Sequence, residues 1–203
     1  MTIVLLAHGS RHPDAAAGVE RLAAEVEIRT AKRTAVAYLD LQQPTVDKVA
    51  QPGDTVVPLL FTDAFHARVD VPTAVAGLDV RLTPGLSGDT LIDALSSLVT
   101  QSSVLYAVGS STGSPEVYDL ARALSQRTGH VVEVAFATRG PSVLDAAVRH
   151  ASLTVIPLFV TSGLLLDKLH NELPRISAAS GCQLSVLPPL SARLAPVIAD
   201  LVT

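Results

Sequence analysis

Apolar positions follow two periods in turn along this chain. Residues 2–7 (TIVLLA) are an unbroken β-branched and leucine-rich run, which predicts a strand buried on both faces. Pro13 and Asp14 then mark a helix start, and Val19, Leu22, Ala23 and Val26 form an apolar stripe at helical spacing. A second strand is predicted over 34–41, a short helix from Pro44 through Val49, and a turn at QPGD, 51–54. Residues 55–61 read as a third strand, 69–76 as a helix and 78–82 as a short strand. Leu91, Ile92, Leu95, Leu98 and Val99 make a further helical stripe.

The pattern then begins again. AHGS at 7–10 is echoed by AVGS at 107–110, and VVPLLFTDAF at 56–65 by VIPLFVTSGL at 155–164, at offsets of 100 and 99 residues. VAYLDLQQPTVDKV at 36–49 returns as VAFATRGPSVLDAAV at 134–148, and LTPGLSGDTLIDAL near 82–95 as VLPPLSARLAPVIADL near 186–201. Four segments recurring in one order at nearly one spacing indicate an internal duplication of about 100 residues. Strands alternating with helices predict an α/β fold. We expect two similar domains, 1–101 and 102–203, each a four-stranded mainly parallel sheet flanked by helices, with the active site in the cleft between them. Pro58 and Pro157 fall inside predicted strands, which suggests a shared bulge near each strand's end.

Composition narrows the function. The chain has 203 residues, 48% hydrophobic and 17% charged, which suits a packed core rather than disorder. The net charge of −4, seven aromatics and no Trp speak against nucleic acid as partner. An acidic ligand would have to meet local Arg or Lys side chains rather than a global field. The single Cys182 excludes an internal disulfide and a cysteine zinc cluster. No apolar run approaches the ~18 residues of a membrane helix, and the N-terminus lacks a signal peptide's basic region. A soluble cytoplasmic protein with no membrane partner is expected. A monomer is expected too, because two fused halves would form the cleft.

In a parallel α/β sheet, ligands bind beyond the carboxyl ends of the strands. His8 ends the first strand, Asp40 lies near the end of the second and His66 follows the third. Two imidazoles and a carboxylate suit a divalent transition metal; strand-end histidines also serve simply as structural or solvated residues. The duplication separates these readings. Val108 stands opposite His8 and Leu165 opposite His66, so the fold is built in the second half without them. That favours function, confined to the first half. There is no GxGxxG after a strand, no P-loop, no HExxH and no GxSxG, which excludes nucleotide-binding and common hydrolase motifs. Ser10 and Ser110 sit in Gly-Ser turns that serve either as helix caps or as backbone anion sites. Lys168 and His170 read as the solvated face of a helix. His12 reads as a cap or peripheral metal contact, and His130 and His150 as exposed.

HGSR after the first strand, with PLL…FHARVDVP after the third, resembles the class II tetrapyrrole chelatases. The resemblance is to the two-domain form of the sirohydrochlorin cobalto-/ferrochelatase branch, whose run is approximately PLF…GYH-x-R-x-D-x-P. His66, Arg68, Asp70 and Pro72 keep that spacing. The resemblance implies ATP-independent insertion of a divalent metal (Co2+, Fe2+ or Ni2+, as substrate) into sirohydrochlorin or a related tetrapyrrole, in siroheme or cobalamin biosynthesis, with no nucleotide. It implies His8 and His66 as metal-facing and catalytic residues. Asp40 stands where the family commonly has Glu, one methylene longer, and Phe65 where relatives often have Tyr, which leaves Phe65 a packing role. Ser10, Arg11 and Arg68 are candidates for holding the ring's carboxylates, and Arg139 is a further one in the second half. A non-catalytic metal or tetrapyrrole carrier on the same fold, and a metal-assisted hydrolase, are the alternatives.

Overall fold

The computed structural model describes residues 1–61, 69–110 and 114–203. The first sheet holds β1 (Ile3–Ala7), β2 (Thr34–Tyr38), β3 (Thr55–Pro58) and β4 (Arg81–Leu82), all parallel, in the order β2-β1-β3-β4. β1 is central, and Ile3 to Leu6 are wholly buried, which is why its sequence is an uninterrupted apolar run. Residues Ile3 to Ala7 stand in register with Thr34 to Tyr38 on one side, and Ile3 to Leu6 with Thr55 to Pro58 on the other.

Helix α1 (Ala15–Thr30) buries Ala15, Gly18, Val19, Leu22, Ala23 and Val26, and so realises the predicted stripe. α2 (Val46–Val49) and α3 (Val71–Ala74) are single turns, and α3 is shorter than the helix predicted over 69–76. Residues 69 and 70 wind as a π-type turn into α3, and the Leu78 N–H already bonds back to Val75 O at 3.0 Å. α4 (Asp89–Ser96) follows the short β4.

The second sheet repeats the first. β5 (Ser103–Ala107), β6 (Val132–Phe136), β7 (Ser152–Pro157) and β8 (Gln183–Val186) are parallel in the order β6-β5-β7-β8. Its helices are α5 (Pro115–Thr128), α6 (Val143–Ala147) and α7 (Leu164–Ser180). A short 3-10 turn (Ser191–Leu194) then leads into α8 (Ala195–Leu201). α6 opens with a reciprocal capping box between Ser142 and Asp145.

The repeat extends to individual hydrogen bonds. The Asp40 N–H donates to His8 O at 3.0 Å, and the Thr138 N–H to Val108 O at 3.1 Å. Tyr38 N–H donates to Pro44 O and Phe136 N–H to Pro141 O, at 2.9 and 2.8 Å. Leu86 bonds Leu60 O as Leu190 bonds Phe159 O, at 2.8 and 2.9 Å. Pro58 and Pro157 are each the last residue of their strand. The ladder resumes beside them through Leu59 N–H to Leu6 O and Leu158 N–H to Tyr106 O. The missing proline N–H therefore falls where the strand stops, and no bulge is needed to accommodate it.

The chain divides into two compact units, Met1–Leu91 with Ser191–Thr203, and Ile92–Leu190. Against a cut at 101/102, the first boundary falls at 91/92 and residues 191–203 join the first unit. Within that unit Leu194, Ala195, Val197 and Ile198 are buried. Lys32 Nζ donates to Val202 O at 3.0 Å, Arg81 to Leu201 O at 3.2 Å, and Thr90 Oγ1 to Asp200 at 2.6 Å. In the second unit Arg127 reaches Asp93 at 2.5 Å. One core packs Val4, Leu6, Ala37, Val46, Val56 and Val71 together. The other packs Val104, Tyr106, Ala135, Val155, Leu166 and Leu169.

Candidate active site

The first sheet delivers His8 at its carboxyl edge. β1 ends at Ala7, and its pairing with the β2 side continues past both strands through Leu39 N–H to Ala7 O and Asp40 N–H to His8 O. His8 is thus fixed by its backbone before its side chain does anything. The ring is partly buried, with Nδ1 out of solvent's reach.

Gly9 explains the tightness of this corner. Its φ is +96°, and a Cβ there would stand 1.9 Å from Asp40 O. Only glycine combines that backbone angle with that approach. The Asp40 carboxylate is exposed and accepts the N–H of Leu41 at 2.7 Å. The structure therefore brings His8 and Asp40 to one edge, held to each other by a backbone bond.

Ser10 has its polar groups partly engaged. Its N–H donates to Gln42 Oε1 at 3.0 Å, and its hydroxyl accepts the His12 N–H at 3.1 Å. The N–H expected to meet an anion is already taken by Gln42. Gln42 is a residue that the sequence reading passed over; it ties the β1 exit to the loop before Pro44. The only signal was its place in LDLQQP, beside Asp40. His12 Nδ1 accepts the N–H of Asp14, the N-cap residue of α1, at 3.1 Å, so this histidine braces the turn that leads into the helix. Arg11 is exposed at the same corner.

His66 and Arg68, with Thr62, Asp63, Ala64, Phe65 and Ala67, lie outside the described residues. Asp70 is partly buried just before α3, and Pro72 lies exposed within α3. Among the described residues, no three His, Cys, Asp or Glu side chains cluster as a metal site. A groove of about 510 Å3 runs between α1 and the edge strand β2, lined by Glu20, Glu27, Tyr38 and Gln42 among others. Burial, with Glu20 nearby, pushes the Tyr38 phenol up. No histidine lines this groove.

The matching corner of the second unit has different chemistry. Val108 holds the His8 position and Thr138 the Asp40 position. Gly109 again has positive φ, +92°. Arg139 donates from Nη1 to Ser110 O at 2.7 Å, and its guanidinium carbon lies 5.2 Å from the Phe136 ring centroid. Beneath this edge the Tyr106 hydroxyl reaches Leu165 O at 3.4 Å. Burial, then Glu172, pushes that phenol up to about 12, so it stays protonated.

His150 differs from expectation. Its side chain is only 16% exposed, and Nε2 lies 2.6 Å from Glu133 Oε1, while Arg149 pairs with the other carboxylate oxygen. Its position at a helix end suggested exposure; a glutamate on the edge strand β6, remote in sequence, draws it in. Lys168, His170 and His130 are exposed as read. Cys182 is buried just before β8, and burial pushes its thiol up, which suits packing rather than nucleophilic work.

The CbiX family model matches residues 2–107, just over half of the chain. The chain belongs to the CbiX family. This is the class II chelatase affiliation that HGSR and H-x-R-x-D-x-P point to. The CbiX architecture extends over both repeats. A CbiX structure described as the terminal enzyme for biosynthesis of siroheme in denitrifying bacteria superposes with a TM-score of 0.74 at 22% identity, covering 100% of this chain and 98% of that one. SirB from Bacillus subtilis, solved with Fe3+, gives 0.71 at 20% identity, with 99% and 93% covered. DR2241 from Deinococcus radiodurans, a multi-domain protein described as structurally similar to chelatases, gives 0.74 at 19% identity; 98% of this chain matches 54% of that one. A comparison with curated proteins found no match.

Proposed function

We propose that this CbiX-family chain is a metal chelatase that inserts a divalent metal, Co2+ or Fe2+, into sirohydrochlorin or a closely related tetrapyrrole without ATP. The observation that carries the reading is the asymmetry of the two repeats. The same backbone corner presents His8 in one and Val108 in the other, held by equivalent hydrogen bonds to Asp40 and Thr138. Solved proteins of this fold described as a siroheme-biosynthesis enzyme and as SirB with Fe3+ support the choice of reaction.

The chemistry needs a weak, open metal site. A closed four-ligand cage would keep the ion; one or two neutral imidazoles leave positions for the ring nitrogens. In this reading His8 and His66 present the metal, and an imidazole accepts a pyrrole proton as the metal enters, as histidine can near neutral pH. Asp40, exposed at the same edge, relays protons to solvent. Arg11 and Arg68 steady the ring's carboxylates, and Ser10 helps to hold the corner. The reaction yields the metallated ring and two protons.

The test is an anaerobic assay that follows the absorbance of sirohydrochlorin with Co2+, Fe2+ and Ni2+ in turn, with no nucleotide. Many turnovers with excess ring and metal are expected for at least one of these metals. Tight one-to-one binding without release would identify a carrier instead.

A further inference from the structure

The groove between α1 and β2 lies wholly within the first unit, and the chelatase reading makes no use of it. It holds about 510 Å3, a volume typical of small-molecule sites. Ala16, Ala23, Ala24 and Val36 make its apolar wall. Among the described residues that line it, the only charged side chains are Glu20 and Glu27. They stand roughly two turns apart on α1, about 10 Å along the helix axis. Glu20 has no ion-pair or hydrogen-bond partner among the described residues. Glu27 uses one carboxylate oxygen, on the Thr34 N–H at 2.8 Å.

Tyr38 is part of the lining. It is 4% exposed, yet its hydroxyl has no hydrogen-bond partner among the described residues. Burial, and after it Glu20, keeps the phenol protonated. The edge of β2 adds acceptors. Arg33 O and Leu39 N–H point to β1, so residues 34, 36 and 38 turn their backbone groups outward. Glu27 takes the Thr34 N–H and Pro44 O takes the Tyr38 N–H. This capping blocks the addition of a strand, while the Thr34 and Val36 carbonyls stay open among the described residues.

The second repeat supplies a control. Tyr38 and Phe136 hold the same place, opposite Ala7 and Ala107. The Val132 N–H donates to Ser125 Oγ at 3.0 Å, as the Thr34 N–H does to Glu27. Tyr118 stands as far before Ser125 as Glu20 does before Glu27, and lies edge-on to Phe136 with 5.8 Å between ring centroids. The fold is thus built in the second repeat with neither carboxylate and without the phenol hydroxyl.

We propose that this groove binds a linear polyamine, a chain with an ammonium at each end. One ammonium pairs with Glu20 and the other with the free oxygen of Glu27. The Tyr38 hydroxyl and the open β2 carbonyls accept from the amine between them, and the methylenes lie along the alanines of α1. A single cation would satisfy one carboxylate only, and the capped edge turns a peptide strand away. Gln42 lines the same groove and holds the Ser10 N–H, so a bound amine lies one side chain from the His8 corner. The site does not depend on the tetrapyrrole reading, and its test uses no ring.

The experiment is a calorimetric titration of spermidine into the full chain at about 0.15 M salt. Saturable one-to-one binding is expected, weaker for putrescine and weaker again for butylamine, which lose charged contacts in turn. Glu20→Gln and Glu27→Gln should each raise Kd about fourfold, the scale of an exposed ion pair, and Tyr38→Phe about threefold. Tyr38→Phe removes a hydroxyl that holds nothing in the free protein, so its melting temperature should match wild type; it carries the test if a glutamine variant melts early. Glu25→Gln makes the same charge change on exposed α1 surface outside the groove, and should leave Kd unchanged. In amide NMR spectra, spermidine should shift Ser10, Thr34 and Val36 and leave Val132 in place. Wild-type affinity in a Glu20→Gln, Tyr38→Phe double variant, an equal loss in Glu25→Gln, or equal affinity for spermidine and butylamine would overturn the site. Each of those results would leave only diffuse attraction of a cation to an acidic protein.

Discussion

Gly9 shows how much one residue decides at this site. Its backbone angle and the 1.9 Å approach of a hypothetical Cβ to Asp40 O mean that Gly9→Ala must push the Asp40 loop away. We expect a loss of about 2–4 kcal/mol in urea unfolding, combining backbone strain with a steric clash. Gly53, with φ +83° and nothing within 4 Å of its would-be Cβ, provides the comparison. Gly53→Ala should cost only about 1 kcal/mol, the conformational part alone. Equal losses at the two positions would contradict this account of the corner. His8 itself was legible in the sequence, because the sister turn AVGS lacks it. The Asp40 bond to its carbonyl was not, since it joins residues 32 apart on an axis that only the sheet register defines. Arg139 was visible as a charge near a strand end. Its restraint by Ser110 and Phe136 depends on contacts that no local pattern encodes.

Elements followed the apolar pattern wherever that pattern was long. β1 was predicted from an unbroken apolar run that the sheet buries, and α1 from a stripe that became its buried face. Short elements were harder. α3 is one turn, with the chain turning back at Leu78, and β4 is two residues at the sheet's edge. The Glu133 pair is an element-scale surprise with a measurable consequence. Burial raises the Glu133 carboxyl, but bonds from Arg149 and His150 outweigh it, and the net shift is downward. A carboxylate whose folded value is depressed stabilises the fold above its unfolded value, and this contribution disappears as pH falls through the folded value. Glu133→Gln should therefore cost about 1–2 kcal/mol near pH 7, for a pair only 16–20% exposed. The difference from wild type should shrink steadily below about pH 4.5, the ordinary glutamate value, in paired unfolding curves. A difference that grows in acid would contradict the assignment.

The whole molecule is a duplication whose last helix does not stay with its own repeat. Ser191–Thr203 completes the unit that begins at Met1, with Ile198 and Val197 buried. This was illegible in the sequence, because an apolar helical stripe states that it needs a partner and not which one. Truncation after Leu190 should strip amide protection from α1 and β1 while residues 103–157 keep theirs, read by hydrogen exchange. Loss confined to the second unit would contradict the assignment of α8. The duplication was the strongest signal in the sequence, and it is also what turns two histidines into a functional argument.

That argument rests on the first repeat carrying the metal chemistry. The most direct measurement is the rate of sirohydrochlorin metallation, above the spontaneous background, by wild type and by the His8→Ala, His66→Ala double variant. The account predicts turnover by wild type and a fall to background in the double variant, on the order of 100-fold or more, with its melting temperature within a few degrees of wild type. A folded double variant that metallates the ring at the wild-type rate would contradict it.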